Sequence, residues 1–283
     1  VLAPIFWDDE LVCWSGLALH DVDVGGPVPG GFSPGARTVY DEAPLIPPMR
    51  LVERGRMRSD IEALILRNTR TPDVNGLNLR ARLAAVSRTR ERLHDVIREF
   101  GKDVFVETQR EMLGLVRRAF LRRLADFPDG TWREEGFLDH DGTNNGIFPI
   151  RATLTKNGER LTFDFEGTSP QVDGPVNCTA GGLECGVVSA ILATLCYDMP
   201  WSPGALKGLF EIRAGEGLIN NALYPAAVSM ATMSAIYATQ HVVAGAIAKM
   251  LASAGEVAHR LEAQASWTPA WQVTVISGGD LRG

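Results

Sequence analysis

Cysteine is scarce in this 283-residue chain, and the few cysteines that occur follow no regular spacing. No Cys-x-x-Cys pair is present, which disfavours a zinc ribbon, and the irregular spacing gives no sign of a disulfide framework. Such usage is typical of a reducing compartment, so we expect a cytoplasmic protein. The four cysteines are Cys13, Cys178, Cys185 and Cys196.

Long uninterrupted apolar runs are also missing. The longest apolar tract, residues 226–251, is broken by polar residues that include Ser229, Thr239 and His241. It therefore predicts a buried helix and disfavours a membrane span. No secretory leader pattern opens the chain, and residues 1–6 are typical of a core strand, so we expect an interior part of a longer polypeptide.

The common nucleotide and nucleophile motifs are absent. The chain has no Gly-x-x-x-x-Gly-Lys-Ser/Thr loop, no Gly-x-Gly-x-x-Gly and no Gly-x-Ser-x-Gly. Residues 167–170 (Gly-Thr-Ser-Pro) lack the lysine of a phosphate-binding loop. We therefore expect no nucleotide site in this chain.

The net charge of −6 is unevenly spread, and residues 50–123 carry eighteen Lys or Arg against ten Asp or Glu. Most of these basic residues are arginines on predicted helices, where solvent or a partner subunit accounts for them. No aromatic side chains alternate with them as in a base-stacking surface, so we expect no nucleic-acid partner.

The composition is that of an ordinary globular protein, with 45% hydrophobic and 22% charged residues. The succession of patterns predicts an α+β fold in three segments. Residues 1–56 are rich in β-strands and loops, residues 57–127 are helical, and residues 128–283 form a mixed α/β segment. In that last segment we expect an antiparallel hairpin sheet with packed helices.

Local signals define these elements. Ser59-Asp60-Ile61-Glu62 is a capping-box pattern that opens a helix. Apolar residues at helical spacing predict a second helix up to Gly101, and a third before Pro128. Alternation on both sides of Asn157-Gly158 predicts a hairpin with a type I′ turn. Further helices are expected at about 182–197 and 228–253, with strands at about 208–213 and 271–276.

The most informative stretch is Leu19-His20-Asp21-Val22-Asp23-Val24-Gly25-Gly26, and a predicted strand over residues 11–19 leads into it. Imidazole nitrogen together with carboxylate oxygen suits Zn²⁺, Mn²⁺ or Fe²⁺. The glycines allow a sharp turn and a close backbone approach. His20 and Asp23 are thus candidate metal ligands, and Gly25 and Gly26 are candidates for shaping the site. A solvated surface loop is the alternative interpretation.

Two other places compete with this motif as functional candidates. Cys178 stands at a possible helix start, which would lower a thiol pKa, but no neighbouring base is evident and packing is the favoured interpretation. Asp139, His140 and Asp141 precede a strand and are interpreted as a solvated turn in preference to a metal site.

Several blocks in register, taken together, resemble the hydantoinase B/oxoprolinase family. The first and third blocks (Ala-Pro-Ile-Phe-Trp and Pro-Gly-Gly-Phe-Ser-Pro) are most similar to its acetone and acetophenone carboxylase branch. The resemblance covers nearly the whole chain and weakens after about residue 254. The blocks are residues 3–7, 20–26, 29–34, 40–48, 79–82, 128–131 and 165–177.

This resemblance implies a multisubunit enzyme. A hydantoinase A-type partner would use ATP and Mg²⁺ to phosphorylate the substrate at oxygen, and this subunit would carry a divalent metal, Zn or Mn. The ligands implied are an upstream His-x-x-Asp, which is not part of this sequence, and a histidine aligned with His20. Asp23 would be a ligand or would orient His20, and the family often has a second histidine where Asp21 stands. Either the missing ligands lie elsewhere in the same polypeptide or on another chain, or this copy binds no metal.

Three functions follow as expectations from the resemblance. The first is the metal-bearing part of an ATP-dependent carboxylase that joins bicarbonate to a ketone. The second is a hydantoinase or 5-oxoprolinase type of enzyme that hydrolyses a cyclic amide. The third is a structural subunit without catalytic residues, with its arginine-rich helices as a docking face.

Overall fold

The computed structural model of the chain describes residues 1–264. It opens with an antiparallel hairpin of β1 (Leu2–Trp7) and β2 (Glu10–Gly16). Ile5 is fully buried on the inner face of the hairpin. Both strands were predicted, although β2 ends at Gly16 and leaves Leu19 and His20 in the loop beyond it.

Three helices follow a short two-stranded ribbon. The predicted helices are confirmed, and Gly101, at φ +89°, separates the second from the third. The prediction of a capping box at Ser59 is wrong. Arg58 is the N-cap residue, and no side chain caps the helix. The ribbon is β3 (Val52–Glu53) with β4 (Arg56–Met57), and the helices are α1 (Ser59–Arg67), α2 (Pro72–Phe100) and α3 (Lys102–Ala125).

The second half of the described chain is built on a four-stranded sheet in the order β5-β6-β7-β8. The first three strands are antiparallel as predicted, whereas β8 pairs with β7 in parallel. The turn between β6 and β7 has Gly158 and Glu159 at its centre, and only Gly158 has positive φ (+58°). A type I′ turn needs positive φ at both central residues, so that part of the prediction is wrong and the pattern is that of a type II′ turn. The strands are β5 (Gly130–His140), β6 (Asn145–Asn157), β7 (Arg160–Asp164) and β8 (Phe210–Arg213).

Helices cover one face of this sheet and form the main core with it. Leu154, Leu161 and Phe163 of the sheet are fully buried, as are Ile191 and Ile247 of the helices. The predicted helix at 228–253 begins later, because a 3-10 turn precedes it, and the predicted strand at 271–276 lies outside the described residues. The helices are α4 (Ala180–Leu195), α5 (Pro203–Leu206), α6 (Ala235–Ala252) and α7 (Val257–Leu261).

The fold is therefore α+β, as the sequence predicts. Among residues 1–264, no helix combines the length and apolarity that crossing a bilayer requires. The loop after β2 that carries His20 lies between the first hairpin and α2, so these elements define the surroundings of the candidate site.

Candidate functional site

The loop after β2 is fastened to helix α2 on both sides of His20. The Arg82 Nη2 donates a hydrogen bond to the Leu19 carbonyl oxygen at 3.0 Å and lies 2.5 Å from the Asp21 Oδ2. The Asn78 Nδ2 donates to the Asp21 Oδ1 at 3.0 Å. Asn78 and Arg82 are four residues apart, so they lie on one face of the helix. The backbone of the motif is thereby held against a rigid element.

Asp23 is a second attachment point, and its side chain is 4% exposed. Its backbone carbonyl accepts hydrogen bonds from the Asn75 Nδ2 at 2.7 Å and from the Thr69 hydroxyl at 2.8 Å. The donors to its side-chain oxygens are Gly25 N (3.0 Å), Gly30 N (2.9 Å), Arg70 N (3.0 Å), Arg70 Nη1 (3.0 Å) and Thr69 Oγ1 (3.3 Å). These bonds join the motif to the connection between α1 and α2.

The same donors explain the charge state of Asp23. The backbone N–H of Arg70, followed by that of Gly30, holds the pKa of this carboxyl far below its ordinary value, although burial opposes the effect. Both oxygens are occupied by protein donors. This geometry assigns Asp23 to the support of the loop, and coordination of a metal by Asp23 would require several of these bonds to break.

The two glycines are needed where the loop meets its neighbours. Gly25 is buried at φ +90°, and a Cβ there would lie 2.0 Å from the carbonyl oxygen of Asn68. Gly26, at φ +88°, would place a Cβ 3.1 Å from the backbone nitrogen of Ala43. A side chain at position 25 therefore meets rigid backbone in addition to unfavourable dihedral angles.

His20 differs from its neighbours because its side chain is exposed. Within residues 1–264 no hydrogen bond or ion pair holds its imidazole ring. No group of three His, Cys, Asp or Glu side chains with metal-binding geometry forms in this part of the chain. The donor set fits one position of a divalent-metal site, the His20 imidazole, and the other ligands would have to come from outside these residues.

A cavity of about 480 Å³ lies beside the loop. Its walls are mainly apolar and include Pro27, Val28, Pro34 and Ala36, and Tyr40 and Asp41 also line it. Cavities of a few hundred cubic ångströms with mostly apolar walls are typical of small-molecule sites.

The segment that forms the cavity wall is held against the second half of the chain. The Glu42 Oε1 accepts hydrogen bonds from the backbone nitrogens of Val228 (2.7 Å) and Ser229 (2.5 Å). The Ser33 backbone nitrogen donates to the Ser229 Oγ at 3.2 Å. The candidate site thus depends on residues far apart in sequence.

The two other candidate positions, Cys178 and Asp141, make contacts that are typical of structural residues. Cys178 is buried, its Sγ donates to the Asn220 carbonyl oxygen at 3.3 Å, and burial raises its pKa to about 12. The helix start does not lower the thiol pKa as a nucleophile would need. Asp141 accepts hydrogen bonds from the backbone nitrogens of Thr143 (2.7 Å) and Asn144 (2.6 Å), which is a turn-stabilising role.

Sequence reasoning missed the residues that support the motif. Arg82 was grouped with the basic helix surface, yet its side chain is only 13% exposed and contacts the loop. The available signal was the block of residues 79–82 among those that carry the family resemblance. The polar residues not identified in advance are Thr69, Arg70, Asn75, Asn78 and Arg82.

The structure is an α+β fold in which hydrogen bonds hold a loop that carries an exposed histidine, and an apolar cavity lies beside this loop. The chain belongs to the hydantoinase B/oxoprolinase family, whose profile matches residues 1–280. The caprolactamase subunit beta of Pseudomonas jessenii is 29% identical over 79% of this chain and 38% of its own length. The acetophenone carboxylase delta subunit of Aromatoleum aromaticum is 27% identical over 74% of this chain and 31% of its own length.

Solved structures agree with this assignment. The ATP-dependent caprolactamase from Pseudomonas jessenii superposes with a TM-score of 0.79 at 27% identity, covering 88% of this chain and 43% of that chain. Nucleotide-free acetone carboxylase gives a TM-score of 0.79 at 22% identity, covering 89% and 34%, and supports the fold. The chain spans well under half the length of these relatives.

Proposed function

We propose that this chain is part of an ATP-dependent carboxylase that acts on a ketone. The observation that carries the proposal is its similarity to the acetophenone carboxylase delta subunit. The resemblance of residues 3–7 and 29–34 to the acetone and acetophenone carboxylase branch favours the same assignment. The relatives include both carboxylase and cyclic-amide enzymes, so the reaction class is the part that needs a test.

In this proposal His20 is one ligand of a divalent ion, zinc or manganese, and the remaining ligands lie outside the described residues. Such an ion supplies a Lewis acid that stabilises negative charge on a substrate oxygen. The exposed His20 imidazole is available for that role, whereas Asp23 holds the loop in place. Gly25 and Gly26 allow the loop to pack closely against Asn68 and Ala43.

The cavity beside the loop is proposed to receive the apolar body of the substrate. Pro27, Val28 and Pro34 contribute apolar walls, which suit a hydrocarbon group next to a carbonyl. The chain has no phosphate-binding loop, so ATP and Mg²⁺ are assigned to a hydantoinase A-type partner subunit. Bicarbonate is the proposed second substrate and the cytoplasm the proposed location.

The test is ATP-dependent incorporation of labelled bicarbonate by the purified full-length enzyme with its co-expressed partner subunit. A panel of alkyl and aryl ketones is compared with incubations that lack ATP or ketone. We expect acid-stable label only in the complete mixture. Absence of label with every ketone, from an enzyme that hydrolyses ATP when offered a cyclic amide, would contradict the carboxylase proposal.

A cyclic-amide hydrolase is the second candidate, favoured by the similarity to caprolactamase subunit beta in both sequence and structure. The same preparation is offered caprolactam, hydantoin and 5-oxoproline, and the ring-opened amino acids are measured. ATP-dependent ring opening without bicarbonate incorporation would establish this alternative. The third possibility is a structural subunit that binds no metal. Measuring the metal content of the purified complex tests it, since this possibility predicts no divalent ion that depends on His20.

A further inference from the structure

One arginine of α2 contacts the residues on both sides of His20. The Arg82 Nη2 donates to the Leu19 carbonyl oxygen at 3.0 Å, and the same nitrogen lies 2.5 Å from the Asp21 Oδ2. The second Asp21 oxygen accepts from the Asn78 Nδ2 at 3.0 Å. The two residues that flank His20 are therefore fixed to one helix face, while the imidazole between them remains exposed.

The Arg82–Asp21 pair is largely shielded from solvent, a property it shares with Arg123–Glu262 among the ion pairs of residues 1–264. Its side chains are 13% and 15% exposed, whereas the Arg80–Glu62 pair, which involves the same helix, is 58% and 19% exposed. Shielding an ion pair costs desolvation free energy, and the attraction between the charges offsets it fully only when the remaining donors and acceptors are also satisfied.

A second observation points away from stability as the reason for an arginine here. The Nε of Arg82 is buried and finds no acceptor within residues 1–264. A buried donor without an acceptor lowers the stability of the fold. An apolar side chain at position 82 would avoid this cost, but it could not hold the Leu19 carbonyl and the Asp21 carboxylate together.

We propose that Arg82 and Asn78 are positioning residues that orient the His20 imidazole for metal binding. This inference rests on the proposed role of His20 as a ligand. We call Arg82, Asn78 and Asp21 together the clamp. Asp21 belongs to it because one of its carboxylate oxygens accepts a hydrogen bond from Asn78 and the other contacts Arg82. Neither Arg82 nor Asn78 contacts the metal in this proposal. They act by fixing the backbone on either side of the ligand.

The test measures metal affinity in the full-length enzyme with its partner subunit, by competition for Zn²⁺ with a chromogenic chelator. We expect Arg82→Ala to weaken zinc binding about 10- to 100-fold, the range found when a group that orients a ligand is removed. Arg82→Lys should recover part of the loss, because an ammonium group retains the charge but not the fork geometry. Arg80→Ala is the matched control on the same helix and should bind zinc normally.

Folding and the ligand role of His20 are controlled separately. Thermal unfolding of the metal-free variants reports stability, and the cobalt-substituted enzyme reports ligand geometry through its visible absorption spectrum. Should Arg82→Ala fail to fold, Asn78→Ala removes a single hydrogen bond to Asp21 and carries the same test, again with weaker zinc binding expected.

The outcomes distinguish the positioning role of Arg82 and Asn78 from the proposed ligand role of His20, on which it rests. Weaker zinc binding and an altered cobalt spectrum in Arg82→Ala, with both unchanged in Arg80→Ala, support the clamp. Unchanged zinc affinity in folded Arg82→Ala, while His20→Ala loses zinc, overturns the clamp alone. Unchanged zinc affinity in His20→Ala overturns the ligand role of His20 itself.

Discussion

Replacing Asp23 by asparagine tests whether this carboxylate is the support of the loop. The substitution conserves size but converts one acceptor oxygen into an NH₂ group. At the Oδ2 position that group would face the Gly30 backbone nitrogen and the Arg70 Nη1, which now donate at 2.9 and 3.0 Å. At the Oδ1 position it would instead face Gly25, Thr69 and the Arg70 backbone nitrogen.

The magnitude follows from these contacts. Either orientation of the amide loses at least two hydrogen bonds to a charged acceptor and leaves donors facing a donor at a site that is 3% exposed. A hydrogen bond to a charged group contributes about 1.5–3 kcal/mol, so two lost bonds account for most of the effect. The ion pair adds little, because the Arg70 side chain is 44% exposed. We therefore expect Asp23→Asn to lower the free energy of unfolding by about 3–5 kcal/mol.

The pH dependence has a definite sign. The hydrogen bonds lower the pKa of Asp23 in the folded protein, whereas an unfolded aspartate titrates at about 3.9. The stabilisation by the carboxylate is therefore fully present above about pH 5 and is lost as the pH falls below about 4 toward the folded-state pKa. The difference in stability between the wild-type protein and the Asp23→Asn variant should shrink over that acidic range.

Urea unfolding of the full-length protein at neutral pH, followed by tryptophan fluorescence, is the assay, with a second series toward low pH. Asp60→Asn is the matched control. Asp60 pairs with Arg58 on an exposed surface, so this substitution should lower the free energy of unfolding by less than about 1 kcal/mol. A loss below about 1 kcal/mol for Asp23→Asn at neutral pH would refute the reasoning, since that is the range of a surface contact.

Two further predictions concern backbone space and thiol reactivity. Gly25→Ala should abolish soluble folded protein, because its Cβ would lie 2.0 Å from the Asn68 carbonyl oxygen, whereas Gly55→Ala, at φ +77° in open space, should cost only about 1–2 kcal/mol by urea unfolding. Equal costs for both would contradict the close approach. At pH 8 the exposed Cys185 should react with a thiol reagent in the native protein, whereas Cys178 should not, because burial raises its pKa to about 12. Peptide mass spectrometry measures the labelling of each cysteine. Equal labelling rates would contradict the burial of Cys178.

Sequence patterns predicted much of the fold because the alternation or helical spacing of apolar residues follows directly from which face of a strand or helix is buried. Strict alternation before and after Gly158 can be satisfied only by a strand pair with one buried face, and the hairpin is present. The turn type was wrong because the strand register, which depends on which side chains are buried, places Asn157 in the ladder. Ser59 resembles an N-cap, but it is already the first helical residue in the structure, and the extended Arg58 before it is the cap residue.

The candidate site was predictable only in part. The donor types of His20 and Asp23 drew attention to the loop, and Gly25 and Gly26 were expected to let the backbone approach whatever those side chains hold. In the structure the close approach of Gly25 is to the Asn68 carbonyl oxygen, and the expected approach to a ligand stays a prediction. The different surroundings of the two side chains depend on residues about fifty positions away, such as Arg70 and Asn75. Nothing in the local motif indicates that one side chain is held by five donors while the other faces solvent.

The most direct test of the account is metal analysis of the purified full-length enzyme in its complex, wild type against His20→Ala. The account predicts near-stoichiometric zinc or manganese in the wild type and a large loss in the variant, with the control Glu211→Ala, at an exposed position of β8, unchanged. A variant that keeps its full metal content, or a wild-type enzyme isolated and reconstituted without any bound divalent ion, would contradict it.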